Sequence, residues 1–178
     1  MEVLEAIKTR RSIRKFKKDV VPPNVLREVL EAGRWAPSAK NNQPWRFILI
    51  VDEDLKRKVA EATTAGKFLA DAPLGIAVAV NPKVTKHPIE DGANATMNIL
   101  LAAHALGLGA CWIGSYGSVY EDVVKKMLGV PDDWILLSIV ALGYPDEKPT
   151  STRIELKELV YVNRFGSKNG LRELLNID

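Results

Sequence analysis

The stretch Asn98-Ile99-Leu100-Leu101-Ala102-Ala103-His104-Ala105-Leu106-Gly107-Leu108-Gly109-Ala110-Cys111-Trp112-Ile113-Gly114 decides the fold. It opens inside a helical pattern running from Ile89 to Leu106, stops at Gly107, and returns to the core as the short apolar run Ala110 to Ile113. A helix that is apolar on most of its faces belongs at the centre of a domain or in a subunit interface. A glycine just past such a run is a helix stop. The order of elements also removes one tempting reading. The glycines of a dinucleotide-binding turn follow a strand and open a helix, whereas Gly107, Gly109 and Gly114 follow a helix and enter a strand.

Outward from this point the chain alternates helix and strand. Val3, Leu4 and Ile7 give a first helix an apolar stripe; Val25, Leu26, Val29, Leu30 and Ala32 do the same for a second, which starts after Pro22-Pro23 with Asn24 as its expected cap. Phe47 to Val51, Leu74 to Val80 and Ile135 to Leu142 are short continuous apolar runs, which read as buried strands. Helices are expected over Asp54 to Ala62 and from about Val119 to Leu128. No repeat, low-complexity segment or linker interrupts the pattern. The expectation is one α/β (α+β) domain, a three-layer sandwich whose sheet is covered by helices on both faces.

Composition narrows the function classes. At 178 residues and 47% hydrophobic content the chain can fill one core without a staple. Its net charge of +3, with no dense basic block carrying aromatics, argues against nucleic acid. The single Cys111 cannot form an intrachain disulfide and sits in an apolar run, so it reads as a buried thiol in a reducing, cytoplasmic setting. The N-terminus is acidic and amphipathic rather than a basic-plus-apolar signal. A Walker loop, a His/Cys metal spacing and a G-x-S-x-G elbow are all missing, which removes support for nucleotide hydrolysis, zinc chemistry and serine hydrolysis.

Two segments carry chemistry. Arg10-Arg11-Ser12-Ile13-Arg14 places three guanidiniums and a hydroxyl within five residues, a donor set suited to phosphate. Arg10 and Arg14 share a face in a helix and, at even spacing, also in a strand. Downstream, Ala36-Pro37-Ser38-Ala39-Lys40-Asn41-Asn42-Gln43-Pro44-Trp45 is a polar loop stiffened by two prolines, whose Ser, Asn and Gln side chains suit the edge of a heterocycle. His87 and His104 have no evident catalytic partner, and no paired carboxylates stand out.

Together these segments resemble the FMN-dependent nitroreductase family. The matching residues are Arg10, Arg11, Ser12 and Arg14, then Pro37, Ser38, Asn41, Gln43, Pro44 and Trp45, then the run from Asn98 to Gly114, and finally Ala141-Leu142-Gly143-Tyr144-Pro145. The resemblance spans roughly residues 2 to 166. It implies a nitroreductase-like FMN-binding domain over 1–166, with 167–178 as a C-terminal extension in which Leu171 to Leu175 adds a helical turn. It further implies a mostly antiparallel mixed sheet in a homodimer whose FMN sites lie at the subunit interface, and an enzyme passing hydride from NADH or NADPH through FMN to a nitroaromatic or quinone by a ping-pong route.

By the same resemblance, Arg10 and Ser12 go to the phosphate and ribityl end, Arg14 to the pyrimidine edge, Arg11 to ribityl or pyrimidine contacts, and Arg153 to the phosphate. Pro37, Ser38 and Ala39 would lie against the flavin of the partner subunit, with Asn41 holding the loop or contacting the cofactor, and the backbone of Ile113 and Gly114 would approach flavin N5. Lys148 is a weaker candidate for the phosphate charge, Lys67 is left without an assigned contact, Tyr116 and Phe68 are candidate walls of the substrate space, and Trp45 is read as core. The same fold also resembles reductive dehalogenases and a flavin-destroying enzyme; a flavin-binding redox sensor without turnover is the reading from another class.

Overall fold

The computed structural model describes residues 1–176. Strands β1 (Trp45–Ile50), β2 (Leu74–Val80), β3 (Gly109–Gly114) and β4 (Ile135–Gly143) form one sheet in the order β1-β2-β4-β3, and every pairing is antiparallel. The expected mostly antiparallel character is there, and among the described residues no parallel strand makes the sheet mixed. A single helix between adjacent strands gives a parallel crossover, but after α3 (Glu53–Ala62) the chain turns once more through a 3-10 segment, Lys67–Asp71, before entering β2. That extra reversal makes β1 and β2 antiparallel. Among the described residues the only parallel contact to the sheet is an isolated bridge between Ser12 and Ala110.

The three layers are those expected. On one face α2 (Pro23–Arg34) and α4 (Pro88–Ala105) bury Val29, Ile99 and Ala103 against Ile76, Val78, Val140 and Leu142. On the other, α3 and α5 (Glu121–Leu128) bury Val59, Ala60 and Val124 against Ile50, Ala77, Ile139 and Ala141. The strand residues alternate between the two cores as a pleated sheet requires. In β4 the alternation slips at one place: Leu136 packs with α3 and α5, Leu137 with α2 and α4, and Ser138 also faces α4 through Thr96 Oγ1 at 2.9 Å. The register jumps there, since Val78 pairs with Ser138 and Ala79 with Leu136. Leu137 is a β-bulge, and its carbonyl accepts from both Ser115 N–H and Tyr116 N–H at 3.2 Å, which fixes where the chain leaves β3.

Local chemistry sets the boundaries. α4 ends in a Schellman stop: Gly107 takes φ +80 and donates to His104 O, and Leu108 N–H donates back to Ala103 O at 2.8 Å. α3 starts where the Asp52 carboxylate accepts from Leu55 N–H at 2.7 Å. Asn24 is not the cap of α2; Pro22 holds that place and Pro23 opens the helix, its fixed φ already helical. Helix α1 (Val3–Thr9) departs further from expectation. Its stripe faces solvent, with Val3 71%, Leu4 69% and Ile7 50% exposed, and only Ala6 is buried. Past β4 the chain forms two short helices, α6 (Leu156–Leu159) and the expected turn α7 (Leu171–Leu175). Residues 177 and 178 of the C-terminal extension lie outside the described residues. No helix among the described residues is long and apolar enough to cross a membrane.

Candidate functional site

After α1 the chain runs along the start of β3 and the end of β4. Ile13 N–H donates to Ala110 O at 3.1 Å, Lys17 N–H to Tyr144 O at 2.9 Å, and Asp146 N–H to Lys15 O at 2.9 Å. This seats Arg10, Arg11, Ser12 and Arg14 beside the segment that follows β4, and together with Pro149, Thr150, Ser151 and Arg153 they line a cleft of about 260 Å³. Five sequence-assigned residues, Arg10, Arg11, Ser12, Arg14 and Arg153, are thereby brought to one place from opposite ends of the chain.

The cleft gathers four guanidiniums, with the Glu147 carboxylate at its edge held by main-chain N–H groups. Among the described residues no carboxylate is ion-paired with any of its four guanidiniums. Arg10 is held below the ordinary arginine value, first by burial and then by repulsion from Arg153 and Arg11. Arg11 turns its Nη1 back onto Lys8 O at 2.8 Å and Arg10 O at 2.9 Å, capping the end of α1, and leaves its buried Nε without a partner. Arg14 lies over the Phe68 ring at 5.8 Å, a cation–π contact, and its own N–H is held by Glu147 Oε1 at 2.5 Å. Glu147 also accepts from Lys15 N–H at 3.1 Å. Such a site stabilises a multiply charged anion, because each added negative charge relieves a repulsion already present.

Along β3 the site changes character from charge to open space. The carbonyl of Ala110 faces outward to Ile13, and main-chain groups alternate in direction along a strand. Ile113, paired with Ile139, therefore points its main-chain groups at β4, while Gly114 points outward. Its carbonyl takes the Tyr120 hydroxyl, and its N–H has no strand partner. The Ile113 side chain is core, 4% exposed. The two residues expected to act alike thus differ: only Gly114 presents a free main-chain donor. A Cβ built on Gly114 would meet nothing within 4 Å, so the space beside it is open.

The 37–41 loop is elsewhere. Asp91, in the first turn of α4, accepts from Ala39 N–H at 2.9 Å; Asn94 Nδ2 donates to Pro37 O at 3.2 Å; and Gln43 N–H donates to Ser38 Oγ at 2.9 Å. The Arg10 segment is tied to the other end of the same helix, where Thr9 Oγ1 meets His104 Nε2 at 2.8 Å. Asp91 and His104 are thirteen residues apart, about 20 Å along the helix axis. The loop also feeds β1, at the opposite edge of the sheet from β3. Within one chain, Pro37, Ser38, Ala39 and Asn41 are not brought to the arginine cleft.

The remaining assignments sort by burial. Trp45 is core, 5% exposed, and Tyr116 is 53% exposed beside the end of β3. Lys67 is exposed next to Phe68, and Lys148 lines a small neighbouring cavity with Thr9, Arg11 and His104. His104 is pulled below its ordinary value by burial and then by Arg10 and Arg11. Burial pushes the Cys111 thiol up, which makes it the inert core thiol expected. Two residues with clear roles carried no signal in the sequence. Glu147 reads as an exposed turn and Asp91 as an ordinary acid in the first turn of a helix, because each acts through contacts remote in sequence; Phe68, read as a candidate wall of the substrate space, lies under the Arg14 guanidinium.

The model of the nitroreductase family matches residues 7–74 and 63–144. Chains described as "Putative NADH dehydrogenase/NAD(P)H nitroreductase" are similar along most of their length. The one from Archaeoglobus fulgidus is 40% identical over 153 residues, covering 83% of this chain and 88% of the relative. The one from Methanothermobacter thermautotrophicus is 41% identical over 155 residues, covering 84% and 80%. Among solved structures, an FMN-dependent nitroreductase of Clostridium difficile R20291 superposes with a TM-score of 0.85 at 32% identity, over 91% of this chain and 99% of that one.

Proposed function

The chain belongs to the nitroreductase family, and from that premise we propose that it is an FMN-dependent NAD(P)H oxidoreductase whose acceptor is an electron-poor compound such as a nitroaromatic or a quinone. The observation that carries the reading is the cleft of Arg10, Arg11, Ser12, Arg14 and Arg153 at the open edge of β3. The residues fit FMN on three counts: the clustered cations want an anion, the buried Arg11 Nε wants an acceptor, and the open space at Gly114 admits a flat ring.

Arg10, Ser12 and Arg153 hold the phosphate and the adjoining ribityl chain, and Arg11 Nε supplies a further donor. Arg14, fixed over Phe68 and with its backbone clamped by Glu147, puts positive charge at the pyrimidine edge, where a reduced ring is more anionic. Gly114 offers its outward N–H to the ring edge. When bound, FMN would accept a hydride from NAD(P)H and deliver it to the acceptor in a second half-reaction, a ping-pong sequence. The protein's part is position, electrostatics and exclusion of water.

The site is completed by a second copy of the chain. One chain holds its Pro37–Asn41 loop about 20 Å along α4 from its own arginine cleft, so the loop serves the cleft of a partner. The apolar α1 stripe and the exposed Ile154, Leu156, Leu159 and Phe165 of the tail supply surface for that contact. Titration of FMN into the unloaded protein tests the reading. Wild type is expected to bind, and Arg10→Ala to weaken binding about 10- to 100-fold, as loss of a charge-assisted hydrogen bond does. A wild-type protein that takes up no FMN contradicts it.

A further inference from the structure

Asp91 is 3% exposed, and its two oxygens hold two different segments. Oδ1 accepts from Ala39 N–H at 2.9 Å and Oδ2 from the Thr85 hydroxyl at 2.7 Å. Thr85 Oγ1 in turn accepts from His87 N–H at 3.1 Å. One buried carboxylate therefore fixes the loop before β1 against the segment between β2 and α4. The first of these is in a shape its residues do not favour: Lys40, Asn41 and Gln43 take φ values of 52, 55 and 49. Left-handed backbone at non-glycine residues persists only where surrounding contacts impose it, and it concentrates at functional sites.

Between the two segments lies a cleft of about 510 Å³, within the size range of small-molecule sites. Ala39, Lys40, Asn42, Lys83, Lys86 and His87 line it. Lys83 is paired with Asp133 at 2.6 Å, and His87 Nδ1 lies 3.6 Å from Glu90. Lys40 and Lys86 have no ion-pair partner among the described residues. The cleft is preorganised, net positive, and distinct from the arginine cleft that the proposed function gives to FMN.

We propose that this cleft binds the phosphate-bearing half of the nicotinamide dinucleotide donor, with Lys40 and Lys86 as its charge contacts. The inference rests on the reading of the chain as an NAD(P)H oxidoreductase with its Pro37–Asn41 loop against the partner's flavin. Ala39 belongs both to that loop and to the wall of the cleft, so a donor whose nicotinamide stacks on the ring runs its phosphates into it.

The test uses FMN-loaded protein, with NADPH and NADH as donors and NADP⁺ binding measured by calorimetry. Lys40→Ala combined with Lys86→Ala is expected to raise the NADPH KM and the NADP⁺ Kd about tenfold, two partly exposed charge contacts being lost. The control Lys58→Ala, which removes the same charge from the exposed side of α3, leaves both unmoved. A larger loss for NADPH than for NADH seats the 2′-phosphate in the cleft, and an equal loss seats the pyrophosphate. If wild type is bleached by a nicotinamide but the double variant stays within about twofold for both donors and for NADP⁺, this inference alone is overturned. If neither donor bleaches wild type, the functional reading falls and this inference with it. Lys86→Glu, which reverses a charge at the surface, is expected to weaken NADP⁺ further than Lys86→Ala.

Discussion

At the scale of single residues, the division of labour follows from which groups are left unpaired. Arg10, Arg14 and Arg153 stand near one another with no ion-paired carboxylate among the described residues, and Gly114 stands beside open space. The glycine gives a clean separation of fold from ligand. Gly114→Ala adds a methyl group that meets nothing within 4 Å in the protein, so the unfolding midpoint is expected to stay within about 2 °C of wild type. The same methyl group occupies the proposed ring space, so FMN affinity is expected to fall at least about tenfold; calorimetric unfolding and flavin titration of one preparation check both halves.

His104 gives a pH signature. Burial and the neighbouring Arg10 and Arg11 lower its folded value below 6.5, so below that pH the unfolded chain takes a proton that the folded chain refuses. Stability from this group is therefore full above pH 6.5 and is lost as pH falls through it toward the folded value. His104→Gln is expected to flatten the thermal-unfolding profile between about pH 7.5 and about pH 5.5. The run from Arg10 to Arg14 was legible as a cation cluster because its chemistry is dense over a few positions, whereas Gly114 and Arg153 came only from the resemblance. Glu147 and Asp91 were not legible, since their partners lie far along the chain.

At the scale of elements, α4 organises the site. It carries the Asp91 clamp at one end and the His104 contact at the other, and its Schellman stop delivers the chain into β3. The apolar pattern from Ile89 and the stop at Gly107 made this helix readable to within a residue at each end. The sheet direction was less readable. Apolar runs specify buried strands but not which way they run, and the reversal through Lys67–Asp71 depends on packing rather than on any local signal. Helix α1 shows the opposite case, a correctly read amphipathic helix whose apolar side stays uncovered among the described residues. Ile7→Glu is expected to leave the monomer's secondary structure intact, since Ile7 is 50% exposed, yet shift sedimentation from dimer toward monomer and lower FMN uptake with it. Retention of a dimer with full FMN uptake would detach α1 from assembly.

At the scale of the molecule, the proposed function gives each chain two half-sites, the arginine cleft and the Pro37–Asn41 loop. A chain lacking Arg10 and Arg14 keeps its loop, and a chain with Asp91→Ala keeps its arginine cleft. Co-expressed with separate tags, the two are expected to form mixed dimers holding one FMN at one intact site, whereas each alone holds little. Mixed dimers without FMN would show that loop and cleft do not meet across an interface. The most direct measurement of the central claim is an anaerobic titration of the FMN-loaded protein with NADH and with NADPH, followed through the flavin's visible absorbance. The account predicts that at least one of them bleaches the flavin, and that adding a nitroaromatic or a quinone restores the colour. A yellow protein that neither nicotinamide bleaches would contradict it.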